Sequence, residues 1–154
     1  MAQHERTLRA ANNYADSLNV LKHFKEAKAL MRKTVPVARR VLGDSKETTI
    51  RMRWHYARAL YENTSATLDD LREAVTTLED AGRIARRVLG VAHPLTAGIG
   101  RELLRARAAL RTRETPEKLA QDAFRTARAK LAQERAEIAQ TFADASARPS
   151  PQDA

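Results

Sequence analysis

Cysteine is absent from the 154 residues, which excludes disulfides and thiolate metal sites and leaves no mark of an oxidising compartment. Aromatic side chains are few, at 5% of the chain, too sparse for the stacking platforms on which single-stranded nucleic acids are held. No apolar run approaches the ~20 residues that cross a bilayer. The opening Met1-Ala2-Gln3-His4-Glu5-Arg6 lacks the apolar stretch of a secretory signal. An intracellular, cytoplasmic protein without membrane contact is expected. Glycine is also scarce. Gly98 and Gly100 stand in Thr96-Ala97-Gly98-Ile99-Gly100-Arg101 with no strand before them, so they form no phosphate loop. They read instead as close-packing or helix-loosening positions.

Catalytic constellations are missing too. His4, His23, His55 and His93 are scattered without a paired i, i+4 spacing, so no metal is expected. Ser17, Ser45 and Ser65 have no base arranged beside them, and no carboxylate pair stands out. The chain reads as a non-enzyme without a cofactor.

What is present is a repeat. Ala38-Arg39-Arg40-Val41-Leu42-Gly43 recurs letter for letter as Ala85-Arg86-Arg87-Val88-Leu89-Gly90, 47 positions later. A fixed period in this range marks a solenoid, whose extended surface suits partners better than catalysis. The register extends outward. Tyr14-Ala15 and Leu18 answer to Tyr56-Ala57 and Leu60, Glu26-Ala27 to Glu73-Ala74, and Val37 to Ile84. Thr7, Thr49 and Thr96 fall just before the first helix of three successive units. The Tyr spacing is 42, so the second unit carries about five extra residues. These lie in the polar turn Asn63-Thr64-Ser65-Ala66-Thr67.

The apolar periodicity is helical throughout, as in Leu8, Ala11, Ala15, Leu18 and Leu21. Gly43 and Gly90 follow Arg-rich helix ends, where a left-handed residue and positive charge both suit a C-terminus. Thr67 followed by Asp69 and Asp70, and Thr115-Pro116-Glu117, read as helix starts. Six helices are predicted, near 5–22, 24–42, 47–63, 67–89, 94–113 and 116–144.

Asn12-Asn13-Tyr14-Ala15, Phe24-Lys25-Glu26-Ala27 and the Ala38–Gly43 block together resemble the roughly 42-residue tetratricopeptide repeat of kinesin light chains. The junction Val88-Leu89-Gly90-Val91-Ala92-His93-Pro94-Leu95-Thr96 is similar to that family's leucine-glycine, histidine-proline, threonine junction. The resemblance covers about residues 5–110. It departs at Asp44-Ser45-Lys46-Glu47, which replaces the histidine-proline junction, and at the third repeat, which stops after one helix. It implies an all-α, right-handed α-solenoid of helix hairpins over 5–113. Repeat one would span about 5–46, repeat two 47–93 and a partial repeat three 94–113. A C-terminal helix, 116–144, would cap the array or project from it, and 145–154 would form a disordered tail.

In such arrays the first helix of each repeat lines a concave groove. Carried over by register, Arg9, Asn12, Asp16 and Asn19 enter the groove from repeat one, Arg51, Trp54, Arg58 and Tyr61 from repeat two, and Arg101 and Arg105 from the third. Tyr14 and Tyr56 then take equivalent packing positions. Residues 116–154 hold six basic and six acidic side chains, so the net charge of +9 lies on residues 1–115. A groove rich in arginine beside the single tryptophan favours an acidic protein or peptide with one apolar anchor. The resemblance thus implies a protein-binding scaffold or adaptor. The alternatives are nucleic-acid binding along an Arg39-Arg40 and Arg86-Arg87 ladder on the convex back, and a structural subunit of a larger assembly or oligomer, since repeat arrays need about three repeats.

Overall fold

The computed structural model describes residues 2–146. Every element among them is helical: α1 (Ala2–Val20), α2 (Phe24–Leu42), α3 (Glu47–Tyr61), α4 (Leu68–Leu89) and α5 (Pro94–Ser146). The chain divides into two compact units, Met1–Arg113 and Glu114–Ala154.

In the first unit α1 pairs with α2 and α3 with α4, while α1 and α2 both pack against α3. First helices therefore lie beside one another, as expected for stacked hairpins. The shared core holds Met31, Ile50, Met52, Leu60 and Leu78, all fully buried, and it continues to Leu95, Ile99 and Ala106 of α5. Alanine sits where helices cross closely. Ala15, Ala27, Ala38, Ala57, Ala74 and Ala85 have no exposure, because a single methyl lets two backbones approach without a void.

The repeated hexamer is a helix end. Ala38 and Ala85 face the core, and the amides of Gly43 and Gly90 donate to the carbonyls of Arg39 and Arg86. Both glycines have positive φ, 85° and 89°, but with ψ near 160°. They occupy a region open essentially to glycine alone, not the left-handed helical conformation expected from the sequence. Between α1 and α2 the positive φ falls on Lys22 instead. In the lengthened turn, Ser65 N–H donates to Asn63 Oδ1, and Thr67 and Asp70 form a reciprocal capping box that starts α4.

Three expectations need correction. Thr49 and Thr96 do not precede their helices but lie inside the first turn, both buried, and Thr7 lies well within α1. Residues 113–116 bring no break: α5 runs through Pro116, so six expected helices become five. Tyr14 and Tyr56 are not equivalent. Tyr56 is 7% exposed and Tyr14 58%, because Tyr56 lies between α2 and α4, where it accepts from Arg32 Nε at 3.4 Å and donates to Glu73 Oε1 at 2.6 Å. The corresponding side of α1 leaves Tyr14 in water.

The second unit, taken by itself, is helical to Ser146, with Leu119, Phe124, Leu131, Ile138 and Phe142 exposed. Of the tail expected over 145–154, residues 147–154 lie outside the described residues.

Candidate partner-binding groove

Along α1, residues 5, 9, 12, 13 and 16 share one helical face, and along α3 residues 47, 51, 54, 55 and 58 share the matching one. The two sets are one 42-residue repeat apart. Stacking α1 on α3 brings them together as the walls of a groove of ≈ 600 Å³. Of the residues read from the sequence, Arg9, Asn12, Asp16, Arg51, Trp54 and Arg58 line it.

Four others do not. Asn19 is 1% exposed and donates from Nδ2 to the backbone carbonyl of His55 at 3.0 Å, a tie between α1 and α3. Tyr61 turns to a separate recess at the far end of α3 and donates from its hydroxyl to Glu102 of α5. Burial, and then that carboxylate, push the phenol far above its usual range. Arg101 is exposed outside the groove lining, and Arg105 reaches Glu102 at 3.4 Å. Helical register alone could not separate these positions, because it fixes the face of a side chain and not which neighbouring helix buries or pairs it.

Trp54 owes its place to a glycine one repeat on. Gly98 of α5 stands at the register position of Arg9 and Arg51, and a methyl group built there would meet Trp54 Cη2 at 3.2 Å. The missing side chain leaves room for the indole, which also lies parallel to the His55 ring at a centroid separation of 5.6 Å.

The groove's charges are largely paired within the chain. Arg51 forks onto Glu47 Oε1 at 2.9 and 2.7 Å, Arg58 Nε meets Glu62 at 3.2 Å, and Lys46 meets Glu5 at 3.2 Å. Arg9 has no partner among the described residues. Counting Arg9, Lys46, Arg51 and Arg58 against Glu5, Asp16 and Glu47, the lining carries a single positive excess.

The unmet polar atoms are more telling. Asn12 Oδ1 and Trp54 Nε1 are buried with no hydrogen-bond partner among the described residues. One is an acceptor and the other a donor, each left at the cost of desolvation that a partner group would offset.

His55 lines the same groove and was legible in the sequence only as a scattered histidine; its spacing from Arg51 and Arg58 was the available signal. Burial holds its pKa below the ordinary 6.5, against a partial upward pull from Asp16, while Arg58 and Arg51 push it further down. Asp16 Oδ1 lies 3.5 Å from Nδ1. The unfolded chain therefore takes up a proton near pH 6.5 before the folded one does. Stability should be complete above that value and fall as pH drops below it. Thermal melts from pH 7.5 to 5 should show the decline, and His55→Gln should flatten it. An acid slope unchanged in His55→Gln would assign the loss to other groups.

Residues 7–45 match the Tetratricopeptide repeat family. The match spans the first helix hairpin and supports a tetratricopeptide-type repeat protein, a class typically built for protein–protein interaction. No curated protein and no solved structure was found to match the chain. Among the described residues no group of three His, Cys, Asp or Glu side chains is placed to hold a metal ion, and no helix is long and apolar enough to cross a membrane.

Proposed function

We propose that the chain is a non-enzymatic scaffold or adaptor, with repeats of the kinesin-light-chain kind, that holds a short acidic peptide in the groove between α1 and α3. The observation that carries this reading is the groove itself, in which Arg9, Asn12, Arg51, Trp54 and Arg58 of two successive repeats line one cleft. Asn12 Oδ1 and Trp54 Nε1, buried and unpartnered among the described residues, would meet a peptide N–H and carbonyl once their side chains turn toward the groove. Arg9, unpaired among the described residues, supplies a cation nearby. The internal pairs of Arg51, Arg58 and Lys46 are partly exposed, and such pairs contribute only ~0–1 kcal/mol each. A ligand carboxylate can therefore take over a guanidinium at small cost. The single positive excess favours a peptide with a few carboxylates over a polyphosphate, which would also confront Glu5, Asp16 and Glu47.

The lone tryptophan makes the test direct, because Trp54 emission reports occupancy. Titration with an Asp/Glu-rich peptide carrying one leucine should shift that emission saturably. Asn12→Ala or Arg51→Ala should weaken binding by ~1–3 kcal/mol, roughly tenfold or more. Replacing the exposed Arg40, Arg86 and Arg87 by Gln should leave it unchanged. Equal binding of a Lys-rich peptide would remove the acidic assignment. Tight binding of an oligonucleotide, steeply salt-dependent and lost with those three arginines, would replace the whole reading.

A further inference from the structure

On the other side of α3, a second cleft of ≈ 330 Å³ opens between α2 and α4, with Arg53 and Tyr56 in its lining. At 100° per residue these two project from the face of α3 opposite Arg51, Trp54, His55 and Arg58, so the cleft is distinct from the groove.

Arg53 is a buried cation, its side chain only 7% exposed. A guanidinium carries five N–H donors and does not shed its charge, so burial ordinarily comes with a fork of hydrogen bonds. Arg53 makes none among the described residues. Its one ion-pair contact is Asp80 Oδ2 at 3.6 Å, and Asp80 is half exposed with its other oxygen held by Arg83 at 2.8 Å. The neighbouring cations are satisfied. Arg39 forks onto Asp44 at 2.6 and 3.3 Å, and Arg32 meets Tyr56 and Glu73. Burial, with Arg39 adding to it, pulls the Arg53 pKa below the usual arginine value in spite of Asp44 and Asp80. The burial of this side chain is thus not offset by a hydrogen bond from the described residues.

We propose that the α2–α4 cleft is a carboxylate site that takes an Asp or Glu side chain of a partner protein onto Arg53. A planar carboxylate matches the guanidinium fork with two parallel hydrogen bonds. Phosphate would concentrate two charges on one centre beside Glu73 and Asp80, both of which line the cleft, whereas a dicarboxylate such as glutarate holds its second charge three methylenes away. The two faces of α3 would then serve two contacts with partners, one through the groove and one through the cleft.

The test uses the full chain, with the Arg53 Nε–Hε resonance followed by NMR as glutarate, inorganic phosphate or chloride is added at constant ionic strength. Glutarate should shift this resonance saturably in the millimolar range, and phosphate should act at least tenfold more weakly. Trp54 emission should stay constant, which separates this site from the groove. Thermal melts extend the test to variants: glutarate should raise the melting temperature of the wild-type chain but not of Arg53→Met. Arg53→Lys, which keeps the charge and loses the fork, should need at least fivefold more glutarate for the same rise, so the test survives if Arg53→Met fails to fold. The proposal is overturned if the wild-type resonance does not saturate, if the glutarate effect on melting persists in Arg53→Met, or if phosphate binds as tightly as glutarate.

Discussion

Replacing Tyr56 by alanine is expected to destabilise the first unit by ~3–5 kcal/mol, and the same change at Tyr14 by under ~1 kcal/mol. The two tyrosines stand at matching positions of consecutive repeats, so the contrast measures environment alone. The Tyr56 ring is enclosed between α2 and α4, and its hydroxyl joins Arg32 to Glu73. Truncation there opens a cavity and strips two polar groups of a partner. Tyr14 leaves 58% of its surface in water, and little is lost with it. Chemical denaturation of the two variants decides the matter. Comparable losses would mean that the exposed side of α1 is covered in solution.

Gly98→Leu is the second large effect, expected to cost ~1–3 kcal/mol net despite the better helix propensity of leucine. Its Cβ would lie 3.2 Å from the Trp54 ring, and the rest of the side chain would have to displace the indole. Trp54 emission should move to longer wavelength as the ring enters water. Adding Trp54→Ala should recover much of the loss, since leucine then fills the vacated space, giving a strongly non-additive cycle. Gly100→Ala is the control. Nothing lies within 4 Å of a methyl at that position, so this change should stabilise the helix by ~0.5–1 kcal/mol. If Gly98→Leu melts like the parent with unchanged emission, Trp54 is not held by that contact.

The helix hairpins could be read from the chain because their causes are local. Period-3.6 apolar stripes, the Thr67 cap and the glycines after Arg-rich ends act within a few residues, and the repeated hexamer announces their recurrence. The groove face was legible in part for the same reason. Positions 9, 12 and 16, and 51, 54 and 58, share a face of their helices whatever surrounds them. Where those faces end was decided by tertiary packing. Asn19 follows the same spacing yet is spent on the His55 carbonyl, and Tyr61 turns to Glu102. Thr115-Pro116 reads as a start but sits inside α5, since an interior proline removes one backbone hydrogen bond without obliging the helix to end there. Above all, the sequence alone could not tell a paired arginine from an unpaired one. Arg51, Arg58 and Arg39 find carboxylates four or five residues away, within reach of local reading. Arg53 is set apart only because α2 and α4 flank it in a cleft, burying most of a charge to which none of the described residues supplies a hydrogen bond.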